Sequence, residues 1–465
     1  MKRSLLVALA AAVALSSGAT AQASLATENS WSADTLIRVN ATMESRSVQM
    51  SAGGRGIYFY GGQYRDYDSA TDSWTDWQRL ARDPDILISN GNARGDVCAT
   101  WWADFGLAAA CRPAGSTTWT KRNIAATRGA TAESIDVSAD GTSALVTWWL
   151  PAAGRTPAIL KASTYTFATR TWSRAATVNI RQDRGRLVRI HVAPMATPAG
   201  AGYLLAYVVG RKGPRRTLIA EATFRQVWTP GRGWGRQAEI LLAPPGGTPK
   251  AVVMAALDSD GTVTAAAFGH EPPTNVDLPS DDWWIARADT AGTFANPVPA
   301  NATTYSPSVV VSGDTIVLIG KDAARDSGPY GSIEISVVSE GAVLRHRLEP
   351  PPLDGIQTHG WDVSFVAQKT AEDADGFALV MEVDKYVDGD DVSGTGSYDV
   401  QQLFTSFGYV DPAANTLQVS DLTRLGTDTA YDGMDPVMAG WGRHALISYT
   451  NQSDALAAVR VPPPP

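Results

Sequence analysis

A short unit, in which a tight polar turn leads into an apolar run, recurs along this chain of 465 residues. Copies begin at Ser138 (SADGTSALVTWW), Asp258 (DSDGTVTAAAFG), Val311 (VSGDTIVLIG), Asp373 (DADGFALVMEV) and Gly440 (GWGRHALISYT). Asp favours turns because its side chain accepts from nearby backbone NH groups, and Gly does so because it tolerates positive φ. Short apolar runs between such turn signals are typical of β-strands. The pattern therefore predicts an all-β chain built from repeated hairpins.

Four such apolar segments, separated by Gly, Asp, Asn, Ser and Pro, form a larger unit of roughly 40–65 residues, close to the known propeller repeats. The first three units are predicted at 47–80, 85–124 and 133–178. Four more are predicted at 187–242, 250–300, 306–349 and 360–426, and a partial unit of three strands follows Pro436.

The strand that the partial unit lacks is predicted at the other end of the chain. NSWSADTLIRVN (Asn29–Asn40) is similar to TRTWSRAATVNI (Thr169–Ile180), the fourth strand of the third unit. Joining the N-terminal strand to the C-terminal blade would close a ring and remove exposed sheet edges. We therefore predict a β-propeller of eight four-stranded blades closed in this way, with seven blades as the alternative.

Neighbouring tryptophans support a propeller over a β-sandwich. A strand with one wet face alternates apolar and polar residues, but ALVTWW and CATWW do not alternate. A propeller blade is covered on both faces by its neighbours, so adjacent positions can both be large. Two or three sandwich domains would also need a linker, and the sequence contains none.

The first 23 residues have the pattern of a secretory signal peptide. Lys2 and Arg3 precede an apolar stretch from Leu5 to Leu15, and ATAQA at 19–23 offers small-x-small cleavage sites. A membrane span would need about 20 apolar residues, and no segment approaches that length. We predict a signal peptide at 1–23, a single propeller at 24–461, a proline tail at 462–465, and secretion (to the periplasm in a two-membrane cell).

The net charge argues against a nucleic-acid partner. It is −8 for the whole chain and becomes −10 when Lys2 and Arg3 leave with the signal peptide. The sequence has no basic cluster long enough to bind the phosphate backbone of a nucleic acid. A cationic or neutral ligand fits better than a polyanion, although one local basic pocket would reverse that inference. We expect a monomer.

The two cysteines, Cys98 and Cys111, are predicted to form a disulfide. If the residues from Ala103 to Gly106 make the turn, the two lie directly opposite each other on antiparallel strands, within bridging distance. Export to an oxidising compartment favours the bridge. The alternative is a pair of reduced core thiols.

Long connections are predicted at one end of the ring, here called the long-loop face, and tight turns at the other, the tight-turn face. Function tends to collect on loops that a rigid scaffold holds. A glycoside hydrolase needs two carboxylates, and a polysaccharide lyase needs a base and a cation. The catalytic candidates are Glu271, Asp354, His359, Asp432 and Asp435. The ligand-binding candidates are His270, Tyr305, Lys321, Arg325 and Tyr431.

One of these connections, DKYVDGDDVSGTGSYD at 384–399, is rich in aspartate. Hard cations bind such oxygen-rich loops, so Asp388, Asp390 and Asp391 are candidate Ca²⁺ ligands. The alternative is a solvated loop. No other cofactor is predicted, because the sequence has no P-loop, dinucleotide motif or Ser-His-Asp constellation.

The repeated units resemble those of secreted bacterial β-propeller proteins. Ser138-Ala139-Asp140-Gly141-Thr142 is similar to the S-x-D-x-G-x-T-W repeat of sialidase-type propellers, but lacks one spacer and the Trp. Ile37-Arg38-Val39 echoes their F-R-I-P motif without its proline. The resemblance implies a propeller fold, a secreted setting and a glycan ligand, and no sialidase active site carries over.

These observations lead to two hypotheses of function. In the first, a secreted propeller binds an extracellular carbohydrate at its long-loop face. One version of this hypothesis adds cleavage of that carbohydrate. In the second, it is a non-catalytic module that binds an extracellular or cell-surface protein.

Overall fold

The computed structural model describes 35–39, 46–81, 86–103, 106–126, 129–150, 158–180, 186–212, 218–240, 253–257, 264–269, 283–295, 298–299, 304–312, 315–322, 332–339, 342–351, 358–367, 375–386, 398–411, 416–425, 436–441, 444–451 and 454–460. These residues form strands joined by turns. They include no helix long and apolar enough to cross a membrane.

Strand β1 (Thr35–Val39) precedes the first complete sheet. Sheet 1 contains β2 (Arg46–Met50), β3 (Arg55–Tyr60), β4 (Gln63–Asp68), β5 (Ser73–Trp74) and β6 (Gln78–Arg79). Sheet 2 contains β7 (Ile86–Gly91), β8 (Val97–Ala103), β9 (Gly106–Arg112) and β10 (Thr120–Ala125). Sheet 3 contains β11 (Thr131–Val137), β12 (Ser143–Leu150), β13 (Ile159–Thr166), β14 (Thr171–Trp172) and β15 (Ala176–Thr177). Sheet 4 contains β16 (Arg186–Thr197), β17 (Gly200–Lys212), β18 (Leu218–Thr229), β19 (Gly233–Trp234) and β20 (Ala238–Glu239).

The second half of the chain repeats the arrangement. Sheet 5 contains β21 (Val253–Leu257), β22 (Thr264–Gly269), β23 (Trp283–Ala288) and β24 (Val298–Pro299). Sheet 6 contains β25 (Thr304–Ser312), β26 (Thr315–Asp322), β27 (Ile333–Ser339) and β28 (Ala342–Leu348). Sheet 7 contains β29 (Thr358–Ala367), β30 (Asp375–Tyr386), β31 (Tyr398–Asp411), β32 (Thr416–Val419) and β33 (Thr423–Arg424). Sheet 8 contains β34 (Val437–Trp441), β35 (His444–Asn451) and β36 (Asp454–Arg460).

The sheets are arranged around a common axis. Within each sheet, consecutive strands pair antiparallel. The first strand of each sheet contacts the first strand of the next, from β2 beside β7 to β29 beside β34, and β34 contacts β2. This arrangement is an all-β propeller, as predicted, and it excludes separate sandwich domains. The described residues form eight sheets.

The N-terminal strand pairs with the last strand of the chain. In β1, Thr35 lies opposite Ala457 and Val39 lies opposite Asp454 of β36. Sheet 8 therefore contains strands from both ends of the described chain, in the order β1–β36–β35–β34.

Both faces of a sheet are buried, which explains the missing alternation. In β12, Ala144 and Val146 pack against sheet 2, while Leu145 between them packs against Leu205 of sheet 4. Six successive residues of β12 are buried before the strand reaches a half-buried end. The ALVTWW pattern is therefore that of a strand between two neighbouring sheets.

The predicted disulfide is present, and the register that predicted it is confirmed. Cys98 of β8 pairs directly with Cys111 of β9, and Ala103 pairs with Gly106 beside the turn. The sulfur atoms are 1.98 Å apart and the Cα atoms 4.1 Å apart. Both cysteines are fully buried.

Candidate functional site

The structure describes the surroundings of few of the residues predicted for the long-loop face. Ten of them lie outside the described residues: Glu271, Asp354, Asp432, Asp435, His270, Arg325, Tyr431, Asp388, Asp390 and Asp391. The backbone of the other three is described. Tyr305 lies opposite Lys321 in sheet 6, and His359 lies opposite Asp384 in sheet 7. The roles of all thirteen remain predictions.

A cleft of about 360 Å³ lies at the opposite, tight-turn face, between sheets 1 and 2. Sheet 1 contributes residues at the end of β2, the start of β3 and the end of β4. Sheet 2 contributes the β7–β8 turn and the start of the β9–β10 connection. The term "sheet 1–2 cleft" is used below for this site.

Strand β9 carries small side chains on the face that it turns toward sheet 1. Ala108 and Ala110 of β9 pack toward sheet 1, where they meet Phe59 and Tyr64. Successive side chains of a strand point to opposite faces, so Arg112 follows these alanines on the same face. It is the first long side chain in that row, and it reaches across to sheet 1.

The Arg112 guanidinium is held by a carboxylate and two aromatic rings. Its terminal nitrogens donate to the two Asp66 oxygens at 2.9 and 2.5 Å, a bidentate pair between neighbouring sheets. Its Cζ lies 5.0 Å from the Trp119 ring centroid and 5.5 Å from that of Tyr64. The Arg112 side chain is 11% exposed. The planar pair therefore forms a fixed polar floor over an aromatic base.

The turns that form the wall of the cleft are held by their own side chains. The Asp96 carboxylate accepts from the Asn92 amide nitrogen at 3.0 Å and from the Ala114 backbone NH at 2.8 Å. The Ser51 hydroxyl accepts from the Arg55 NH at 3.0 Å. The polar side chains of these two turns therefore stabilise the turns themselves.

The wall also contains hydroxyl groups. Thr75, Ser116 and Thr117 line the cleft, and Thr117 is exposed. Burial raises the pKa of Tyr67, whose hydroxyl donates to Asp72 Oδ1 at 2.8 Å. The Tyr67 ring packs on the other side of sheet 1, in one cluster with Leu446 of sheet 8.

Sequence reasoning missed this cleft because its parts belong to two different units. Asp66 and Arg112 are 46 residues apart, and neither belongs to a recognised motif. A usable signal was the arginine that ends GLAAACR, since a charged residue closing a strand of small apolar residues needs a partner in the neighbouring sheet. Among the side chains that the structure describes, no cluster of His, Cys, Asp and Glu could hold a metal ion.

Several solved propellers are similar to this chain in overall structure. The Dos1 propeller aligns with a TM-score of 0.47 and 7% identity, covering 91% of this chain and 94% of that one. The propeller domain of the trilobed protease of Pyrococcus furiosus aligns with a TM-score of 0.32 and 9% identity, over 72% and 94% of the two chains. An α-L-arabinanase of Penicillium chrysogenum has a TM-score of 0.31 and 10% identity, over 59% and 93%. No protein-family model and no curated protein matches the chain. Likenesses this remote carry no argument about its function.

Proposed function

We propose that this chain is a secreted propeller that binds an extracellular carbohydrate, and that the sheet 1–2 cleft is its binding site. The observation that carries the proposal is the fixed Arg112–Asp66 pair on the floor of a 360 Å³ cleft with hydroxyl-bearing walls. Small-molecule sites are typically concave, about 300–1,000 Å³ in volume, with a few well-placed polar groups.

The chemistry of the cleft suits a sugar ring. Each sugar hydroxyl both donates and accepts, and the lining offers donors on Arg112, acceptors on Asp66 and hydroxyls that can do either. The aromatic base under Arg112 fixes the guanidinium before any ligand arrives, which lowers the entropy lost on binding.

Cleavage is a separate proposal and belongs to the long-loop face. Asp66 is the only carboxylate in the cleft lining among the described residues, and it is paired with Arg112. A hydrolase needs a second carboxylate. If the chain cleaves glycans, we therefore place that activity on the predicted group around Glu271, Asp354, His359, Asp432 and Asp435.

We further propose that the eight sheets act as eight blades of one ring, closed by the N-terminal strand. The pairing of β1 with β36 and the contact of β2 with β34 support this reading.

The binding proposal is tested by screening the secreted protein on a glycan array. Hits are then titrated with Thr117→Trp, which fills the cleft from an exposed position, and with His359→Ala in the long-loop group. Ala70→Trp is the control, since Ala70 is exposed in a turn of sheet 1 and does not line the cleft. We expect Thr117→Trp alone to abolish binding.

Loss of binding in His359→Ala with Thr117→Trp unaffected would instead favour the long-loop face. An empty array, together with a protein captured from culture medium by the folded bait, would replace carbohydrate binding with the interaction-module hypothesis.

A further inference from the structure

Two more ion pairs, in addition to Arg112–Asp66, lie in or beside the sheet 1–2 cleft, and in each the two partners differ in exposure. At its mouth, the Arg55 side chain is 71% exposed, while its partner Asp68, 3.0 Å away, is 25% exposed. The Arg94 side chain is 59% exposed, while Asp96, 3.9 Å away, is 4% exposed. At both positions the guanidinium is the outer member of the pair.

The carboxylates are committed to the turns beneath. Asp68 accepts from the Ala70 NH at 3.0 Å, and Asp96 accepts from Asn92 and Ala114 as described above. These bonds hold the acids in the wall, whereas the arginine side chains extend past them. Among the described residues that line the cleft, three are arginines, Arg55, Arg94 and Arg112, and one is a carboxylate, Asp66.

The two exposed arginines belong to turns that are joined to each other. The Ala52 NH of the first turn donates to the Ala93 carbonyl of the second at 2.9 Å. The Arg94 guanidinium is itself anchored, because it donates to the Asp140 carbonyl of sheet 3. Both arginines line the sheet 1–2 cleft, and the guanidinium of Arg94 is held on the side of sheet 3.

We propose that the sheet 1–2 cleft selects a sugar that carries a carboxylate, of the uronic-acid type, over the corresponding neutral sugar. The inference rests on the proposed function, because it specifies the ligand of the same cleft. Guanidinium groups match a planar carboxylate in charge and geometry. The sheet 1–2 cleft is also the local basic pocket that reverses the expectation, based on net charge, of a neutral or cationic ligand.

The test is calorimetric titration of the secreted protein with short oligomers of galacturonate, glucuronate and mannuronate. Each oligomer is compared with its own form in which the carboxyl groups are reduced to primary alcohols. We expect one acid form to bind about 10-fold more tightly than its neutral form, as charge-assisted hydrogen bonds imply. The difference in affinity between the two forms should be smaller in about 0.5 M NaCl than in about 0.05 M, because salt screens the charges more strongly.

Arg55→Gln/Arg94→Gln should remove the preference for the acid form, so that the acid and neutral forms bind with equal affinity. Arg79→Gln is the matched control, because Arg79 is an exposed arginine of sheet 1 outside the cleft. It should keep the preference.

Four outcomes decide the matter. Equal binding of acid and neutral forms, sensitive to Thr117→Trp, would overturn the selectivity and leave carbohydrate binding in place. Equally tight binding of sulfated oligomers would overturn it in favour of a general anion site. An acid preference that survives the double substitution would remove it from this cleft. Binding of neither form, with the glycan array also empty, would sink the proposed function itself.

Discussion

Asp136 is a buried carboxyl group in β11, 8% exposed and facing sheet 4. Burial is the main cause that raises its pKa from 3.8 to about 7, and a hydrogen bond with Ser134 opposes the shift. Its Oδ2 has no hydrogen-bond partner among the described residues. The nearby phenol Tyr203, which shares a 2.9 Å hydrogen bond with Ser143, also has its pKa raised by burial. Asp136 is therefore protonated in the folded protein at pH values where an exposed carboxyl is ionised.

This pKa predicts that stability falls as the pH rises. Between about pH 4 and pH 7 the folded state retains a proton that the unfolded state has released, so the free energy of unfolding decreases by up to about 4 kcal/mol. Asp136→Asn stays neutral and should lose this component. The variant should match wild type near pH 4 and exceed its stability at pH 8. Urea unfolding across pH measures the difference, with the exposed Asp421→Asn as control. Parallel profiles of variant and wild type would contradict the assignment.

The Arg112–Asp66 pair predicts a second effect at the residue scale. Arg112→Met leaves Asp66 without its partner, and we expect the free energy of unfolding to fall by about 2–3 kcal/mol. This is less than for a fully buried pair, because Asp66 is 27% exposed. Replacing Asp66 by Asn as well should restore part of the loss. A double-mutant cycle in urea gives the coupling energy, and additive losses would mean that the pair contributes nothing.

At the scale of elements, the outer strand of four sheets is broken in two. The break separates β5 from β6, β14 from β15, β19 from β20 and β32 from β33, and both pieces pair with the same third strand. A residue in the break keeps its NH bonded to that strand. In three sheets its hydroxyl also accepts from the strand's NH: Thr75 from Asp66, Ser173 from Thr164 and Ser420 from Phe407. The side chain thus replaces a missing ladder partner.

Removing this hydroxyl should cost more where the bond is more buried. The Ser420 bond to the Phe407 NH, 3.0 Å long, is partly buried, whereas the equivalent Ser173 bond is exposed. We expect Ser420→Ala to lower the free energy of unfolding by about 1 kcal/mol and Ser173→Ala by less, because water can replace that bond. Ser420→Thr, which copies Thr75, should be nearly neutral. Equal losses in the two alanine variants would show that burial does not set the cost, and no loss in Ser420→Ala would show that the hydroxyl does not act as a ladder partner.

The sequence predicted strands better than it predicted these breaks. The predicted units 85–124 and 133–178 coincide with sheets 2 and 3 to within two residues, because polar turns mark their ends. The disulfide followed from the same register. The sequence instead suggested an unbroken fourth strand in Thr169–Ile180, where β14 and β15 lie. A break of a few residues leaves no separate pattern in the spacing of apolar residues, so the sequence does not reveal it. The cleft was missed for a different reason, since its contacts join turns of separate sheets.

At the scale of the whole molecule, ring closure has a direct test. Deleting residues 24–40 removes β1 and leaves β36 with an unpaired edge. We expect a single cooperative transition whose Tm falls by at least about 5 °C, because the loss affects the ladder of sheet 8 and the junction with sheet 1. Deleting residues 24–28 alone is the control and should leave Tm unchanged. An unchanged Tm in the longer deletion would mean that the N-terminal strand does not stabilise the ring.

The pairing of β1 with β36 also means that the first strand waits for its partner while the rest of the chain is synthesised. About 415 residues separate Val39 from its partner Asp454. At about 5–20 residues per second, synthesis leaves the first strand without its partner for roughly 20–80 s. Throughout that interval the other sheets can form, but β1 remains open to proteases and chaperones. A nascent chain that is released before β36 is made therefore leaves β1 with an unpaired strand edge.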